Sequence, residues 1–152
     1  MRLPIVLLVV SFLGACAPMS ETRPMFTPAD FAHLRFLEGR WEGTGPDGAP
    51  FYEQYSFPSQ TEMRSTRYGD ATFAQAEDGS VVALHAGRVT STWMTFTWEA
   101  VDLVPGKACF EPLQAPSAFC WERLTADTAQ VTQRWTDEAG QAQQYVVPLR
   151  RL

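Results

Sequence analysis

Residues 92–103, Thr92-Trp93-Met94-Thr95-Phe96-Thr97-Trp98-Glu99-Ala100-Val101-Asp102-Leu103, place Met94, Phe96 and Trp98 on one face and Thr95 and Thr97 on the other. A two-residue period belongs to a β-strand with one buried face, because successive side chains point to opposite sides of a sheet. Tyr145, Val147 and Leu149 repeat the pattern near the C-terminus. Outward from these two stretches, strand-length segments recur between turn residues, and the spacing predicts strands over 40–45, 50–57, 62–68, 71–77, 80–87, 92–103, 107–111, 118–125, 128–136 and 142–151. Asp47-Gly48, Asp78-Gly79, Pro105-Gly106 and Ala139-Gly140 punctuate them, each offering the residue that accepts positive φ in a tight hairpin. Consecutive short strands of this kind read as an antiparallel meander. An open sheet of about ten strands leaves two exposed edges and curls under its twist, so the expected all-β architecture is a closed up-and-down barrel.

Ahead of the strands, Thr27-Pro28-Ala29-Asp30 reads as a helix start, with Thr as N-cap, Pro at the first helical position and a carboxylate in the first turn. Phe31, Leu34 and Leu37 recur on one face until Gly39, which predicts one short N-terminal helix. No internal repeat divides the helix and strands, so one domain is expected over 28–152. With 152 residues, 45% hydrophobic and 19% charged, the chain is too apolar for intrinsic disorder and of a size for a single core. Its formal charge is 12 − 17 = −5, with no basic run to neutralise phosphates, so nucleic acid is not an expected partner.

Arg2 precedes the apolar run Leu3 to Leu13, which ends in Leu13-Gly14-Ala15-Cys16. The run is too short for a spanning helix, which needs roughly 20 residues, and it resembles a bacterial lipoprotein signal peptide over 1–15. That resemblance implies a lipid on Cys16, followed by a Pro-containing flexible tether over 16–27. It also implies a place in the cell envelope, with the membrane as partner through the anchor. Ala17 lacks the Asp of an inner-membrane retention signal, which points to the outer membrane, facing the periplasm.

Setting Cys16 aside, Cys109 and Cys120 remain, an even number in an oxidising compartment. One disulfide between neighbouring strands is the expectation, and two buried free thiols are the alternative. Their spacing is far from the C-x-x-C of redox catalysts.

Gly39-Arg40-Trp41, opening the first strand, resembles the G-x-W signature of calycins, the superfamily of lipocalins and fatty-acid-binding proteins. The longer pattern Phe36-Leu37-Glu38-Gly39-Arg40-Trp41-Glu42-Gly43, Tyr55-Ser56-Phe57-Pro58 and Met63-Arg64-Ser65-Thr66-Arg67 is similar to an uncharacterised bacterial family of secreted calycin-like domains of unknown function. The similarity continues through Ala108-Cys109-Phe110-Glu111 and Cys120-Trp121-Glu122-Arg123. It implies a calycin-like barrel of about ten strands with a plug-like helix, and a structural Trp41 packed under Arg150 or Arg151 from the last strand. Nitrobindin-like barrels carry a haem-binding His near the C-terminus, whereas this chain has only His33 and His85, so no haem or other cofactor is expected.

Two isolated His and no H-E-x-x-H or C-x-x-C give no metal site, and no G-x-S-x-G elbow or phosphate loop marks a catalytic residue. Glu53, Arg64, Arg67, Glu99, Glu122 and Arg123 fall inside predicted strands. Each points outward, pairs internally, or meets the polar head of a ligand, because a buried charge demands a partner. Trp93, Trp98, Trp121 and Trp135 are core or cavity lining. The candidate ligand-binding residues are Arg67, Trp98, Trp121, Arg123 and Tyr145. Three functions stay open: binding of a small hydrophobic or amphipathic molecule in the barrel, a non-enzymatic interaction module of the envelope, and an enzyme using an inward Glu/Arg cluster. A barrel packed solid would exclude the first.

Overall fold

The computed structural model describes residues 23–152. The predicted signal peptide, the lipidation site Cys16 and the first part of the tether lie outside the described residues. Ten strands follow a short helical segment: β1 (Gly39–Thr44), β2 (Pro50–Ser56), β3 (Glu62–Tyr68), β4 (Ala76–His85), β5 (Arg88–Trp93), β6 (Phe96–Val104), β7 (Lys107–Gln114), β8 (Ala118–Arg123), β9 (Thr128–Thr136) and β10 (Ala142–Arg151). Every strand pairs antiparallel with its sequence neighbours, and β1 pairs with β10, so the barrel is closed and runs up and down as expected.

The count of ten was expected; two of the boundaries were not. Predicted strands 71–77 and 80–87 are one strand, β4, and Asp78-Gly79 lies inside it. Gly79 serves a close approach there rather than a turn: a Cβ on it would stand 2.2 Å from the Ser65 carbonyl oxygen of β3. The hairpin falls instead at Ala86 and Gly87, both at positive φ. Conversely, 92–103 is not continuous. It breaks at Met94, which has φ 53° and is 78% exposed. Phe96 and Trp98 obey the inward period, but Met94 sits at a turn tip. The turn carries no Gly, Asn or Asp, and the stacked pair Trp93 and Phe96, with ring centroids 5.9 Å apart, holds the two strands together across it.

The helical segment closes one end of the barrel. Thr27 caps the helix as expected, and Asp30 returns the bond by accepting the Thr27 N–H; Pro28–Phe31 is α-helical before the chain tightens into a 3-10 helix over Ala32–Leu37. Phe31, Leu34 and Leu37 are buried against the interior, as their spacing predicted. His33 Nδ1 lies 3.3 Å from the Leu103 carbonyl oxygen, which only an N–H there can satisfy, so this His ties the helix to β6. His85 is exposed.

Trp41 is fully buried and donates its indole N–H to the Leu37 carbonyl at 2.6 Å. The guanidinium of Arg151 lies over its ring, 4.3 Å from the centroid, and donates to the carbonyls of Phe36 and Glu38. Arg151 is therefore the last-strand partner of the signature Trp, while Arg150 faces outward to Glu42 at 3.0 Å. Gly39, at φ 123° where β1 begins, leaves room for Arg151, because a Cβ there would stand 2.8 Å from its Nη1.

Cys109 and Cys120 are opposite each other on β7 and β8 and form a disulfide, with Cα atoms 4.1 Å apart. Ala108, Phe110, Phe119 and Trp121 take the inward positions, so the bridge lies on the outer face. Phe26 donates its N–H to the Gly87 carbonyl at 2.8 Å, and Arg23 pairs with Glu99, which Arg88 also grips. Residues 23–27 are held on the barrel wall.

Candidate functional site

The helix fills one end of the barrel, and at the other end the interior is open. A cavity of about 540 Å³ opens beside the β1–β2 turn at Gly45, Pro46 and Asp47. The barrel is not packed solid.

Register determines what lines this space. On β2 the two-residue period turns Phe51, Glu53 and Tyr55 inward, opposite Arg67 and Ser65 of β3, and Ser65 in turn faces Ser80 of β4. Ser91 of β5 and Trp98 of β6 form the next inward pair. From β8 to β10, Phe119, Trp121, Val131, Gln133, Tyr145 and Val147 continue the lining, and Gln133 brings an amide to this side.

The polar centre of the site is a three-residue cluster. The Tyr55 hydroxyl donates to Glu53, and Arg67 Nη2 donates to the other Glu53 oxygen at 3.2 Å. Burial, and then the neighbouring Glu53 carboxylate, push the Tyr55 hydroxyl well above the usual tyrosine range, so it stays protonated as a donor. Glu53 is 14% exposed and is neutralised by the Arg67 guanidinium, which also lies over the Phe51 ring at 5.1 Å. One group is left over: Arg67 Nε is buried and has no hydrogen-bond partner.

The apolar wall is a linked set of rings. Phe119 packs edge-on to Trp98 at 5.5 Å and to Trp121 at 4.8 Å, and Trp121 packs edge-on to Tyr55 at 6.1 Å. The Trp98 indole N–H is already satisfied by the Ser117 carbonyl at 2.6 Å. Trp98 therefore offers the cavity a ring surface and no donor.

Arg67, Trp98, Trp121 and Tyr145 all line the cavity, as their candidacy required. Arg123 does not line it. It keeps the inward parity of Phe119 and Trp121, but β8 leaves the barrel there at the helix-capped end, and its exposed side chain lies against Gly106. Sequence reading passed over Glu53 and Tyr55 as site residues; the same period on Phe51, Glu53 and Tyr55 could have found them. Of the other charged strand residues, Arg64 pairs with Glu62 on the outside and Glu122 accepts from Gln130 at 3.0 Å. Among the described residues, no group of three or more His, Cys, Asp or Glu converges in a way that could hold a metal ion.

No family model matches the chain. No curated protein matches it either. Among solved structures, it is similar to a protein of unknown function from the DUF3598 family of Nostoc punctiforme, at 14% identity and a TM-score of 0.49 over 86% of this chain. The chain spans 50% of the length of that protein. A barrel bound to DFHBI is similar at 13% identity and a TM-score of 0.41, over 80% of this chain and 98% of that one. A redesigned β-barrel is similar at 12% identity and a TM-score of 0.37, over 80% and 95%. At these identities the likeness is one of barrel to barrel.

Proposed function

We propose that this protein is a lipid-anchored component of the bacterial envelope whose barrel takes up a small hydrophobic or amphipathic molecule through its open end. The observation that carries the binding reading is the cavity of about 540 Å³. Its size falls in the range of roughly 300–1,000 Å³ of small-molecule sites, and so does its make-up, ring surfaces with a few placed polar groups. The anchor reading is supported by Leu13-Gly14-Ala15-Cys16 and Ala17 in the sequence, with several acyl chains on one Cys giving stable attachment. Facing the periplasm from the outer membrane, such a domain would meet amphiphiles that water dissolves poorly.

Binding is tested on the full chain with anilinonaphthalene sulfonate, whose fluorescence rises in apolar surroundings. Val147 is 9% exposed and lines the cavity, so Val147→Trp fills the space that the dye needs. The wild type should bind and the variant should bind at least tenfold more weakly at unchanged melting temperature. Equal binding by both, or none by the wild type, overturns the cavity as the site. For the anchor, Cys16→Ala should leave the membrane fraction or remain uncleaved, and mass spectrometry of wild type with an unmodified Cys16 refutes it.

A further inference from the structure

An up-and-down barrel sends alternate turns to opposite ends. The turns β2–β3, β4–β5, β6–β7 and β8–β9 share the helix-capped end, and the other five surround the cavity mouth. The two ends are alike in apolar surface: Met94, Leu113 and Trp135 are exposed at the mouth, and Met25, Val104 and Leu124 at the closed end. They differ in charge. At the mouth, Asp47, Asp70, Glu77, Asp78, Asp137 and Glu138 lie in the turns or at the start of β4, and the turns 45–49, 69–75, 94–95, 115–117 and 137–141 contain no Lys or Arg. The nearest cations, Arg67 and Arg134, pair with Glu53 and Glu111. The closed end carries both signs, Arg35, Lys107 and Arg123 beside Asp30, Glu122 and Asp127. Lys107 and Arg123 are exposed, stand next to Val104 and Leu124, and have no carboxylate partner among the described residues.

The N-terminal strap is fixed at the closed end too. Phe26 bonds the Gly87 carbonyl in the β4–β5 turn, Met25 lies against Gly87, and Arg23 reaches Glu99, which is also held by Arg88 at the start of β5. Cys16 stands 26 − 16 = 10 residues before Phe26, a reach of at most about 35 Å. The closed end uses little of that reach. The mouth uses most of it, because ten-residue strands such as β4, tilted by about 40°, span about 25 Å along the axis.

We infer that the closed end is the face that rests on the lipid surface, with Lys107 and Arg123 on lipid phosphates and Met25, Val104 and Leu124 at the headgroup boundary, so that the cavity opens away from the bilayer. This rests on the anchor at Cys16 proposed above. Basic groups beside a membrane gain from its anionic headgroups, and apolar side chains among them are buried at the acyl boundary. The carboxylates of the mouth would meet the same headgroups with repulsion at distances within a Debye length, which keeps Met94, Leu113 and Trp135 off the lipid. The ligand of the cavity therefore enters from the aqueous side rather than directly out of the bilayer.

The test places the processed, lipidated protein in vesicles of phosphatidylethanolamine and phosphatidylglycerol that contain a nitroxide headgroup lipid as quencher. One fluorophore is attached at Ala126→Cys or Gln60→Cys at the closed end, or at Thr95→Cys or Ala139→Cys at the mouth; all four positions are exposed, and Cys109 and Cys120 are bonded to each other. Quenching should be at least twofold greater at 126 and 60 than at 95 and 139. Lys107→Glu together with Arg123→Glu should remove at least half of the quenching at 126 at unchanged melting temperature. A difference under twofold, or greater quenching at 95 and 139, overturns the orientation. No quenching at any position overturns the contact with lipid, and a smaller loss in the charge-reversed variant overturns the part given to Lys107 and Arg123. In each of those cases the protein still floats with the vesicles, whereas protein that does not float overturns the anchor along with this inference. Dye binding reports on the cavity separately.

Discussion

Arg151 locks the closed end of the barrel, and its removal should have a cost that can be worked out bond by bond. The guanidinium donates from Nη2 to Phe36 O at 2.8 Å, from Nη1 to Glu38 O at 2.6 Å and from Nε to Ala126 O at 3.3 Å, while covering the Trp41 ring at 4.3 Å. The Phe36 carbonyl belongs to a buried residue, so losing its charged donor costs about 1.5–2 kcal/mol; the other two carbonyls regain water and cost about 0.5 kcal/mol each. The cation–π contact adds about 0.5–1 kcal/mol. Arg151→Met should therefore destabilise by about 3–4 kcal/mol. With a urea slope of about 1.5 kcal/mol per molar, the midpoint falls by about 2 M at unchanged slope. Arg151→Lys, which keeps a charge but cannot fork between two carbonyls, should recover less than half. Gly39 sharpens the test. A Cβ there would stand 2.8 Å from Arg151 Nη1, so Gly39→Ala should cost less in the Arg151→Met background than alone, a coupling that a double-mutant cycle reads directly. A shift under about 0.5 M for Arg151→Met, or Arg151→Lys matching wild type, would refute the locking role.

The Cys109–Cys120 bridge joins residues 11 apart, for which loop closure predicts about 3 kcal/mol. Urea melts with and without reductant should differ by that amount, and freely alkylated thiols in oxidised protein would remove the bridge. Glu99 is held below the usual carboxylate range by the Arg88 hydrogen bond, with Arg23 adding to it against the opposing effect of burial. Its folded value lies below its unfolded value of about 4.3, so its stabilisation is present above that pH and is lost as the pH falls through the folded value. Wild type should lose more stability than Glu99→Gln between about pH 5 and 3; parallel acid curves would count against the pairing. Releasing this clamp should also make the peptide bonds near Arg23 more accessible to trypsin in Glu99→Gln, and equal cleavage rates would show that residues 23–27 are held by other contacts.

What could be read in the sequence was whatever depends on local period and on turn chemistry. Strands bounded by Asp47-Gly48, Pro105-Gly106 and Ala139-Gly140 appeared where expected, because a Gly at positive φ marks its own turn. The misses have one origin. Asp78-Gly79 carries a turn signal that tertiary pairing overrides, since β4 must run straight past β3, and Met94 carries no signal although the β5–β6 hairpin turns on it. Likewise, a two-residue period sorts side chains into two faces but does not say how far along the barrel each one sits. Arg67 and Arg123 share inward parity, yet one lies in the cavity and the other at the rim of the capped end. Only closure of the barrel, with β1 against β10, fixes that axial position.

Closure also explains why a cavity exists at all. A barrel of about eight strands has an interior just wide enough for its own side chains to fill, and width grows with strand number. With ten strands, this barrel is wider than its strands can fill unaided. Phe31, Leu34 and Leu37 of the helix take up the surplus at one end, against Trp41 and Leu149. No segment among the described residues does so at the other end. There the strands that could have narrowed the space instead present short side chains, Ser65, Ser80 and Ser91. Three serines where three leucines would fill much of the space leave the volume open on the side facing Trp98, Phe119 and Trp121. The empty space thus has its cause in strand number and in the short side chains of β3 to β5. Widening Ser65, Ser80 and Ser91 to Leu together should raise stability as it weakens binding, because apolar area would be buried where part of a ligand otherwise sits.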